Sequence, residues 1–375
     1  MDKKRVLLLS EGFGSGHTQA AHALAVGLRK RSPQVQTKVI ELGGFFHPTL
    51  APLILSAYRK TIIHSPKLVG MMYRAQYKKS LNRFTQLALH RLFYMQTATM
   101  IEQLRPDAIV CTHPIPNAII ARLKRLGMKL PLYTVITDYD AHGTWIADGV
   151  TSYFVSTDEV RNKLLERGIK SNHIQVTGIP VHPNFWKVHD PAKLYTRFGL
   201  KPMPTVMVMG GGWGMHGHKA LLDRIVVWRD RIQLLLCMGS NSDHMEALAK
   251  NPIFIHPNIH LFGFTKEIDK LMDVSDLLIT KPGGMTCTEA LIKGIPMMFC
   301  NPLPGQEEEN CQYFTSRGFG KEITSLDDID QALEQLTTCL PRSSSRSMKR
   351  NHSSSHINPF YPTDCSQVLM DLLSV

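Results

Sequence analysis

The stretch Val6–Leu24, VLLLSEGFGSGHTQAAHAL, combines three structural signals in a short length of chain. The apolar run Val6–Leu9 is typical of a strand that is buried on both faces. A glycine-rich turn follows it, and the residues after His17 have the composition of a helix. A strand, a glycine turn and a helix in this order open a parallel α/β domain, and such a turn usually binds a phosphate. The predicted fold class is therefore α/β.

The alternation of strands and helices continues along most of the chain. Apolar, β-rich runs predict strands at residues 5–10, 35–41, 108–112, 132–137, 153–156, 205–209, 232–238, 260–264, 276–280 and 296–300. The sequence Ile179–Pro183 interrupts this alternation, which starts again with the strand at 205–209 and a second glycine loop. We therefore predict two doubly wound, Rossmann-like domains that face a cleft.

The predicted boundaries are 1–190 for an N-terminal domain, 191–340 for a C-terminal domain and 341–375 for a tail. The tail begins with a Ser- and Arg-rich segment, residues 341–356, which we expect to be flexible. A final helix is predicted at 364–373, and it is expected to pack back on the body of the protein.

The composition indicates a globular protein of the cytosol. Of the 375 residues, 43% are hydrophobic and 20% are charged. No apolar run reaches the roughly 18 residues that a membrane-spanning helix needs, and Val6–Leu9 is too short for a signal peptide. The seven cysteines are scattered without a Cys-x-x-Cys pair, so neither a disulfide framework nor a zinc site is predicted.

The net charge of +12 is concentrated in the first half of the chain. Residues 1–190 contain 25 Lys or Arg and 12 Asp or Glu, whereas residues 191–375 contain 18 and 19. The segment Leu42–Ile101 has no acidic residue at all, and aromatic and aliphatic residues alternate there with Arg59, Lys60, Lys67, Arg74, Lys78, Lys79, Arg83 and Arg91. This mixture predicts a surface that lies on an anionic bilayer. A buried helical pair with a solvated basic face is the alternative, and nucleic acid is not expected because no binding motif for it is present.

The first glycine turn has two interpretations. Gly12-x-Gly14-x-Gly16-His17 departs from the dinucleotide fingerprint G-x-G-x-x-G, although Glu41 ends the second strand, where a ribose-binding acid would sit. A nicotinamide or flavin oxidoreductase therefore stays open. At a helix N-terminus the imidazole of His17 is favoured in its neutral form, which suits a general base. The alternative is a histidine that only hydrogen-bonds its own loop.

Two further glycine stretches lie in the second half. In MGGGWGMHG, Met209–Gly217, the backbone N–H groups of Gly211, Gly212 and Gly214 are suited to a diphosphate without a metal. The stretch TKPGGMTCTEALIKGIPMMFCNPLPGQEEEN, Thr280–Asn310, opens another helix after Gly283 and Gly284. One turn further, the Glu289 carboxylate is able to take both hydroxyls of a ribose.

The last stretch ends in a second group of polar residues. Gln306, Glu307 and Asn310 are candidates for hydrogen bonds to a sugar, whereas Glu309 reads as a solvated residue at a helix start. Asp138 is an acidic residue at the end of a strand in the first domain, and it is a candidate to orient His17 or to act as the base. The alternative for Asp138 is a helix or loop cap.

These stretches together resemble glycosyltransferase family 28, and within it the monogalactosyldiacylglycerol synthases and processive diacylglycerol glucosyltransferases. The resemblance covers roughly Arg5–Thr324 and rests on GSGHTQAAHAL, TVITDYDAHGTWIADGV, VTGIPVHPNF, GGGWGM, TKPGGMTCTEAL and PLPGQEEEN. It implies the GT-B fold, a UDP-sugar donor, no metal or other cofactor, and inversion at the anomeric carbon. It also implies that the N-terminal domain binds the lipid acceptor at the membrane.

The resemblance also implies roles for individual residues. His17 corresponds to the histidine of the acceptor loop and is the candidate base. Asp138 is the second catalytic candidate because of its position at a strand end, and Gly14, Gly16 and Trp145 lie in the segments around the acceptor. The expected membrane contacts are Arg59, Lys60, Arg74, Lys78 and Lys79. The expected donor-binding residues are Gly211, Gly212, Gly214, Gly283, Gly284, Met285, Thr286, Glu289, Gln306, Glu307 and Asn310.

The sequence therefore predicts a peripheral enzyme of the cytoplasmic face of the cell membrane. It is expected to move a hexose, glucose or galactose, from a UDP-sugar to diacylglycerol or a glycosyl-diacylglycerol. A sibling enzyme that transfers N-acetylglucosamine to the lipid-linked peptidoglycan precursor is the first alternative. The others are a dinucleotide oxidoreductase, which the donor stretch disfavours, and a non-catalytic membrane-binding module.

Overall fold

The computed structural model describes residues 3–65, 70–71, 73–75, 77, 90–210, 219–339 and 364–374, which fall into two compact units. Unit 1 contains the described residues up to Pro183, together with Leu303–Asn310 and residues 364–374. Unit 2 contains 184–302 and 311–339. Some predictions lie outside the described residues: Gly211, Gly212, Gly214, Lys78, Lys79, the side chain of Arg59 and the segment 341–356.

Unit 1 is built on a parallel six-stranded sheet. Its strands are β1 Lys4–Ser10, β2 Val35–Glu41, β3 Ala108–Cys111, β4 Leu132–Val135, β5 Ser152–Val155 and β6 Ile174–Val176, in the order β2-β1-β3-β4-β5-β6. Its helices are α1 Ser15–Arg31, α2 Leu42–Phe46, α3 Leu50–His64, α4 Met95–Leu104, α5 Pro114–Arg125 and α6 Asp158–Glu166. The crossovers between neighbouring parallel strands are the connections that this fold class requires.

Strand β1 is buried on both faces, as its apolar run predicts. Leu7 and Leu9 pack on one face in the cluster that contains Ile109, whereas Val6 and Leu8 pack on the other face against α1. Side chains alternate between the faces of a strand, so four consecutive apolar residues require a helical layer on each side. The sheet of unit 1 therefore occupies the middle of a three-layer structure.

Unit 2 repeats this architecture. Its strands are β7 Thr205–Met209, β8 Gln233–Cys237, β9 Ile259–Phe262, β10 Leu277–Thr280, β11 Met297–Phe299 and β12 Gly320–Glu322, in the order β12-β11-β10-β7-β8-β9. Its helices are α7 Pro191–Phe198, α8 Lys219–Val226, α9 Ser242–Lys250, α10 Ile268–Asp273, α11 Gly284–Lys293, α12 Gln306–Ser316 and α13 Leu326–Cys339. The first residues of α12, Gln306–Asn310, group with unit 1. The prediction of two doubly wound α/β domains is confirmed.

Two strands were not predicted, and both lie at the edge of a sheet. β6, Ile174–Val176, and β12, Gly320–Glu322, have three residues each. Only Ile174 in β6 is buried, and β12 contains no apolar residue. An edge strand is covered less than a central one, so its sequence lacks the apolar run that identifies the others.

The C-terminal helix α14, Cys365–Leu372, belongs to unit 1 and packs on α1. Leu369 is fully buried in the same cluster as the apolar face of α1. Asp364 caps the helix through the N–H of Ser366 and forms a 2.6 Å ion pair with Arg31. The helix predicted at 364–373 is therefore present, and it contributes to the core of unit 1.

Candidate functional site

The crevice of unit 1 lies where the connections of its sheet diverge. β1 and β3 are neighbours, but the chain leaves β1 toward β2 on one side and β3 toward β4 on the other. Such a switch point opens a crevice at the carboxyl ends of the strands, where α/β proteins bind ligands. The glycine turn Glu11–Gly14 follows β1, and Thr112 and His113 follow β3.

His17 is the third residue of α1 and is held by a hydroxyl group. Its Nδ1 atom is 2.6 Å from Oγ1 of Thr137, which follows β4. Burial lowers the pKa of His17 to about 4, against the opposing effect of a hydrogen bond with the Thr112 backbone. The first turn of α1 has no acidic residue, so the positive end of the helix dipole favours the same neutral form. The imidazole is therefore neutral at physiological pH and able to accept a proton.

Aromatic rings surround His17. The ring centroid of His113 lies 4.7 Å from that of His17, nearly perpendicular to it, and the ring of Trp145 lies 5.9 Å away. Phe13, from the glycine turn, stacks on His113 at 5.9 Å. Trp145 is buried, and its carbonyl oxygen accepts a 2.8 Å hydrogen bond from Asn117. These rings restrict the orientation of His17 and reduce its contact with water.

Asp138 is buried beside the first turn of α12. Its Oδ1 atom accepts hydrogen bonds from the side-chain amide of Gln306 and, at 3.5 Å, from that of Asn310. The Asn310 oxygen accepts the backbone N–H of Tyr139 at 2.9 Å. Burial raises the pKa of Asp138 to about 7; the two amides act against this rise, and the charge of Asp140 adds to it. Two predicted sugar contacts are thus hydrogen-bonded to a predicted catalytic carboxylate.

The acidic residues of the same turn cap their own loop. The Glu307 carboxylate accepts the N–H of Leu303, and the Glu308 carboxylate accepts the N–H of Gly305, each at 2.8 Å. These bonds satisfy backbone donors at the start of α12. Glu308 also lies 3.6 Å from the guanidinium of Arg74, a predicted membrane contact. One oxygen of Glu307, predicted to bind the sugar, is therefore used by the backbone.

Part of the acid-free segment packs against this loop. Gly305 has a φ of 105°, and a Cβ on it would lie 2.5 Å from the ring of Tyr73, so the loop requires glycine there. Tyr77 donates a 2.7 Å hydrogen bond to Asp140, and the Lys163 ammonium lies 2.5 Å from the same carboxylate. Tyr73 therefore packs on the loop before α12, and Tyr77 is hydrogen-bonded to the loop after β4.

The glycine pair Gly283–Gly284 of unit 2 follows β10, at the switch point of the second sheet. β7 and β10 are neighbours, and the chain leaves them toward opposite edges. α11 begins at Gly284 after Gly283; its first turn has no acidic residue, and none of the described side chains caps it. A Cβ on Gly283 would meet no described atom within 4 Å. The N–H groups near Met285 and Thr286 therefore form a helix start suited to a diphosphate.

Glu289 lies in the second turn of α11. Burial raises its pKa to about 8, and the negative charge of Asp269 adds to the rise. A carboxyl group with this pKa is mostly protonated at neutral pH. The structure thus places the predicted ribose acid one and a half turns from the helix start that is predicted to bind the diphosphate.

Helix α3 exposes an apolar stripe. Its members lie at helical spacing, and their exposed fractions are 39% for Leu50, 67% for Leu53, 42% for Ile54 and 36% for Tyr58. Phe45, in α2, is 52% exposed, and Lys60 in α3 is also exposed. Exposed apolar residues grouped in this way mark an interaction surface. In the described part of the chain, no helix is both long and apolar enough to cross a bilayer.

Two residues of the crevice were missed by the sequence analysis. Thr137 holds the His17 ring, and His113 packs against it. Both follow the carboxyl end of a strand, β4 or β3. The carboxyl ends of parallel strands meet near a switch point, and both strands were predicted from the sequence. This rule would therefore have identified the two residues.

Comparison with known proteins found a related family model for each half of the chain. The family model described as "Monogalactosyldiacylglycerol (MGDG) synthase" matches residues 17–181, and the model "Glycosyltransferase family 28 C-terminal domain" matches residues 205–360. A curated relative from Bacillus subtilis strain 168, the "Processive diacylglycerol beta-glucosyltransferase", is 29% identical over 371 residues. The match covers 94% of this chain and 92% of the relative.

Solved structures show that the fold is GT-B. MurG from Acinetobacter baumannii has a TM-score of 0.58 at 15% identity, and the match covers 99% of each chain. Anabaena Alr3699/HepE, solved in complex with UDP and glucose, has a TM-score of 0.59 at 13% identity and is covered completely, as is this chain. At these identities the similarity concerns the fold alone.

Proposed function

We propose a specific reaction for this chain, which belongs to glycosyltransferase family 28 and to the type that contains the monogalactosyldiacylglycerol synthases. It is thus a lipid glycosyltransferase. It transfers glucose from UDP-glucose to diacylglycerol or a glycosyl-diacylglycerol, as a peripheral enzyme of the cytoplasmic membrane face. The name of the Bacillus subtilis relative favours glucose, whereas the name of the N-terminal family model leaves galactose as the second donor to test.

The observation that carries this proposal is the neutral His17 imidazole at the crevice of unit 1. When Nδ1–H donates to the hydroxyl of Thr137, the lone pair of Nε2 is available as a base. This nitrogen takes the proton of the acceptor hydroxyl while the hydroxyl oxygen forms its bond to the anomeric carbon. The bond from that carbon to the UDP oxygen breaks, and UDP leaves with the electron pair. Attack on the side opposite UDP converts an α-linked donor into a β-glycoside.

The leaving diphosphate needs stabilisation of its negative charge. In unit 2 the uncapped start of α11, at Gly283 and Gly284, supplies backbone N–H groups and a positive helix end. Fixed donors aimed at a developing negative charge lower the barrier without a metal ion. We therefore propose that the enzyme works in the presence of a metal chelator.

The acceptor is a lipid, so the enzyme has to reach a bilayer. The apolar stripe of α3 offers Leu53 and Ile54 to the acyl region, and Lys60 and Arg74 lie on the same acid-free segment. Anionic headgroups attract such basic residues by about 1 kcal/mol each near the surface. This combination supports binding of unit 1 to an anionic membrane surface.

The testing experiment is a transfer assay with the full chain and vesicles of an anionic phospholipid that contain diacylglycerol. UDP-glucose, UDP-galactose and UDP-N-acetylglucosamine are offered separately, with and without EDTA. We expect a β-glucosyl lipid from UDP-glucose, formed at a rate that EDTA does not change and that falls by about 10²- to 10⁴-fold with His17→Ala. The anomeric configuration is read from the proton NMR coupling of the product.

Other results would overturn parts of the proposal. Transfer only from UDP-galactose would change the sugar, and loss of activity with EDTA would remove metal independence. If nothing is transferred to diacylglycerol, but UDP-N-acetylglucosamine is used once a lipid diphosphate is added to the vesicles, the peptidoglycan-precursor enzyme is favoured. Absence of transfer from all three donors, with vesicle binding intact, would remove diacylglycerol as the acceptor.

A further inference from the structure

A second concave site in unit 1 lies at the amino ends of β1 and β2. It is a cavity of about 590 Å³, a volume typical of sites for small molecules. Its lining includes Val6, Leu7 and Val35, each of which is only 2% exposed. The glycine turn of the crevice follows the opposite end of β1, at a distance of about 20 Å along the strand. The cavity is therefore separate from the crevice that holds His17.

Three cationic side chains also line this cavity. They are Arg5, Arg29 and Lys38, and all three are exposed. The Arg5 guanidinium donates a 3.3 Å hydrogen bond to the carbonyl oxygen of Leu104, and the Arg29 guanidinium donates to the hydroxyl of Thr37. Both acceptors are uncharged. None of the three cations forms an ion pair with another residue in the described part of the chain, so their positive charge is available to a ligand.

The chemistry of the lining selects the ligand. Guanidinium and ammonium groups together favour phosphate oxygens. One acidic group is close, since the Asp107 carboxylate accepts the backbone N–H of Arg5 at 2.6 Å, but a single negative charge leaves the cavity positive. A free inorganic anion gains nothing from the apolar part of the lining. An anionic group attached to an apolar chain satisfies both parts of the cavity.

The position of the cavity indicates how such a ligand arrives. The acid-free segment and α3 follow the carboxyl end of β2, whereas the cavity lies at the amino end of the same strand. With α3 on a bilayer, the cavity is at the other end of the sheet. Its ligand therefore comes from solution as a single molecule and not as a headgroup of the bilayer.

We propose that this cavity binds a monomeric phosphate monoester of an alkyl or acyl-carrying alcohol. The phosphate lies among Arg5, Arg29 and Lys38, and the chain lies on Val6, Leu7 and Val35. The inference goes beyond the proposed function, because it assigns a second ligand to a site that takes no part in the transfer reaction.

The test titrates the full chain with n-octyl phosphate by calorimetry, at concentrations below those at which it forms micelles. Inorganic phosphate and 1-octanol are titrated separately, because each offers only one half of the expected chemistry. We expect one n-octyl phosphate to bind per chain and the other two probes to bind at least tenfold more weakly. Binding of 1-octanol as tight as that of n-octyl phosphate would remove the role of the cations and overturn the proposal.

Variants of exposed residues locate the site. Lys38→Glu replaces an attraction by a repulsion and should weaken n-octyl phosphate binding at least tenfold. Gln36→Trp should have a similar effect without a change of charge, because its larger side chain fills a cavity that Gln36 lines. Lys129→Glu makes the same charge change at an exposed position outside the cavity and should bind as the unmodified protein does. The unfolding temperature shows that each variant is folded, and Arg5→Gln replaces Lys38→Glu if that variant is not.

Three results would overturn the proposal. The first is unchanged affinity for n-octyl phosphate in both Lys38→Glu and Gln36→Trp. The second is competition by saturating UDP, which would place the probe in the donor site. The third is an equal loss of binding to anionic phospholipid vesicles in Lys38→Glu, which would make the ligand a bilayer headgroup. A failure of the transfer assay would leave the binding result intact, so the two proposals are tested independently.

Discussion

Nδ1 of His17 lies 2.6 Å from the hydroxyl of Thr137, while the carboxylate of the next residue, Asp138, is hydrogen-bonded to Gln306 and Asn310. The group that orients the candidate base is therefore a neutral hydroxyl. A carboxylate in that position would stabilise the imidazolium and raise the pKa of His17. The hydroxyl fixes the ring without this effect, so burial keeps the pKa of His17 near 4.

This relationship predicts unequal effects of two substitutions. His17→Ala removes the base and should lower kcat by about 10²- to 10⁴-fold, the usual contribution of general-base catalysis. Thr137→Val removes one hydrogen bond worth about 1 kcal/mol and should lower kcat only about fivefold. Initial rates at saturating UDP-glucose and vesicle lipid measure both.

The control for Thr137→Val is the same substitution at Thr97. The Thr97 side chain is fully buried in unit 1, and its hydroxyl has no partner among the described residues. Thr97→Val should therefore leave kcat unchanged and should not lower the stability. A loss of activity in Thr137→Val as large as that in His17→Ala would show that the hydroxyl does more than orient the ring.

The pH dependence of kcat should distinguish His17 from Asp138. His17, with a pKa of about 4, is neutral at all pH values above about 5 and contributes no change between pH 5.5 and 8. Asp138, with a pKa of about 7, takes up a proton in that range and then accepts the hydrogen bond of Gln306 less strongly. We expect kcat to fall below pH 7 in the unmodified enzyme and to be flat in Asp138→Asn. A fall that persists in Asp138→Asn would contradict this assignment.

The fold was predictable because its central strands are buried on both faces. The predicted and observed bounds agree fully for the central strand Thr205–Met209, and also for Val35–Glu41, an edge strand that is buried only at Val35 and Ile40. Runs of β-branched and aliphatic residues between turn signals identify such strands. The partners of the site residues were not predictable in the same way. The bond between Asp138 and Gln306 joins residues 168 positions apart, and only the folded chain sets that contact.

The hydrogen-bond partners of the sugar-binding candidates could not be predicted from local sequence either. Local sequence correctly suggested that Gln306–Asn310 begin a helix, since acidic residues are favoured there. The same local pattern cannot reveal whether an amide side chain is directed to a ligand or to another part of the protein. Asn310 is fully buried and bonded on both sides, to Asp138 and to the backbone of Tyr139.

The apolar stripe of α3 predicts a specific loss of membrane binding. Burying a leucine side chain in an apolar phase is worth about 1.5–3 kcal/mol, so Leu53→Asp should weaken binding to anionic vesicles at least tenfold. Leu126→Asp is the matched control, because Leu126 is 63% exposed but lies just after α5, outside the acid-free segment. Vesicle sedimentation measures both variants. Equal losses in the two would show that the α3 stripe has no special role.

The basic residues should contribute a part that depends on salt. Lys60→Ala removes one exposed charge from α3 and should weaken binding about fivefold at low ionic strength. The difference from the unmodified protein should disappear in 1 M salt, where the screening length is about 3 Å. The effect of Leu53→Asp should remain at high salt, since burial of apolar surface does not depend on screening. A salt-independent effect of Lys60→Ala would indicate lost packing instead of lost charge.

Finally, the affinity for UDP should rise with pH because of Glu289. Its pKa of about 8 means that the carboxyl group is mostly protonated at pH 7 and mostly ionised at pH 9. The ionised form accepts stronger hydrogen bonds from ribose hydroxyls, so UDP should bind up to about tenfold more tightly at pH 9 than at pH 7. Calorimetric titration measures this, and Glu289→Gln should show no such dependence. Asp269→Asn should move the midpoint to lower pH, because the charge of Asp269 is the second cause of the raised pKa. An unchanged midpoint in that variant would mean that burial alone sets the protonation of Glu289.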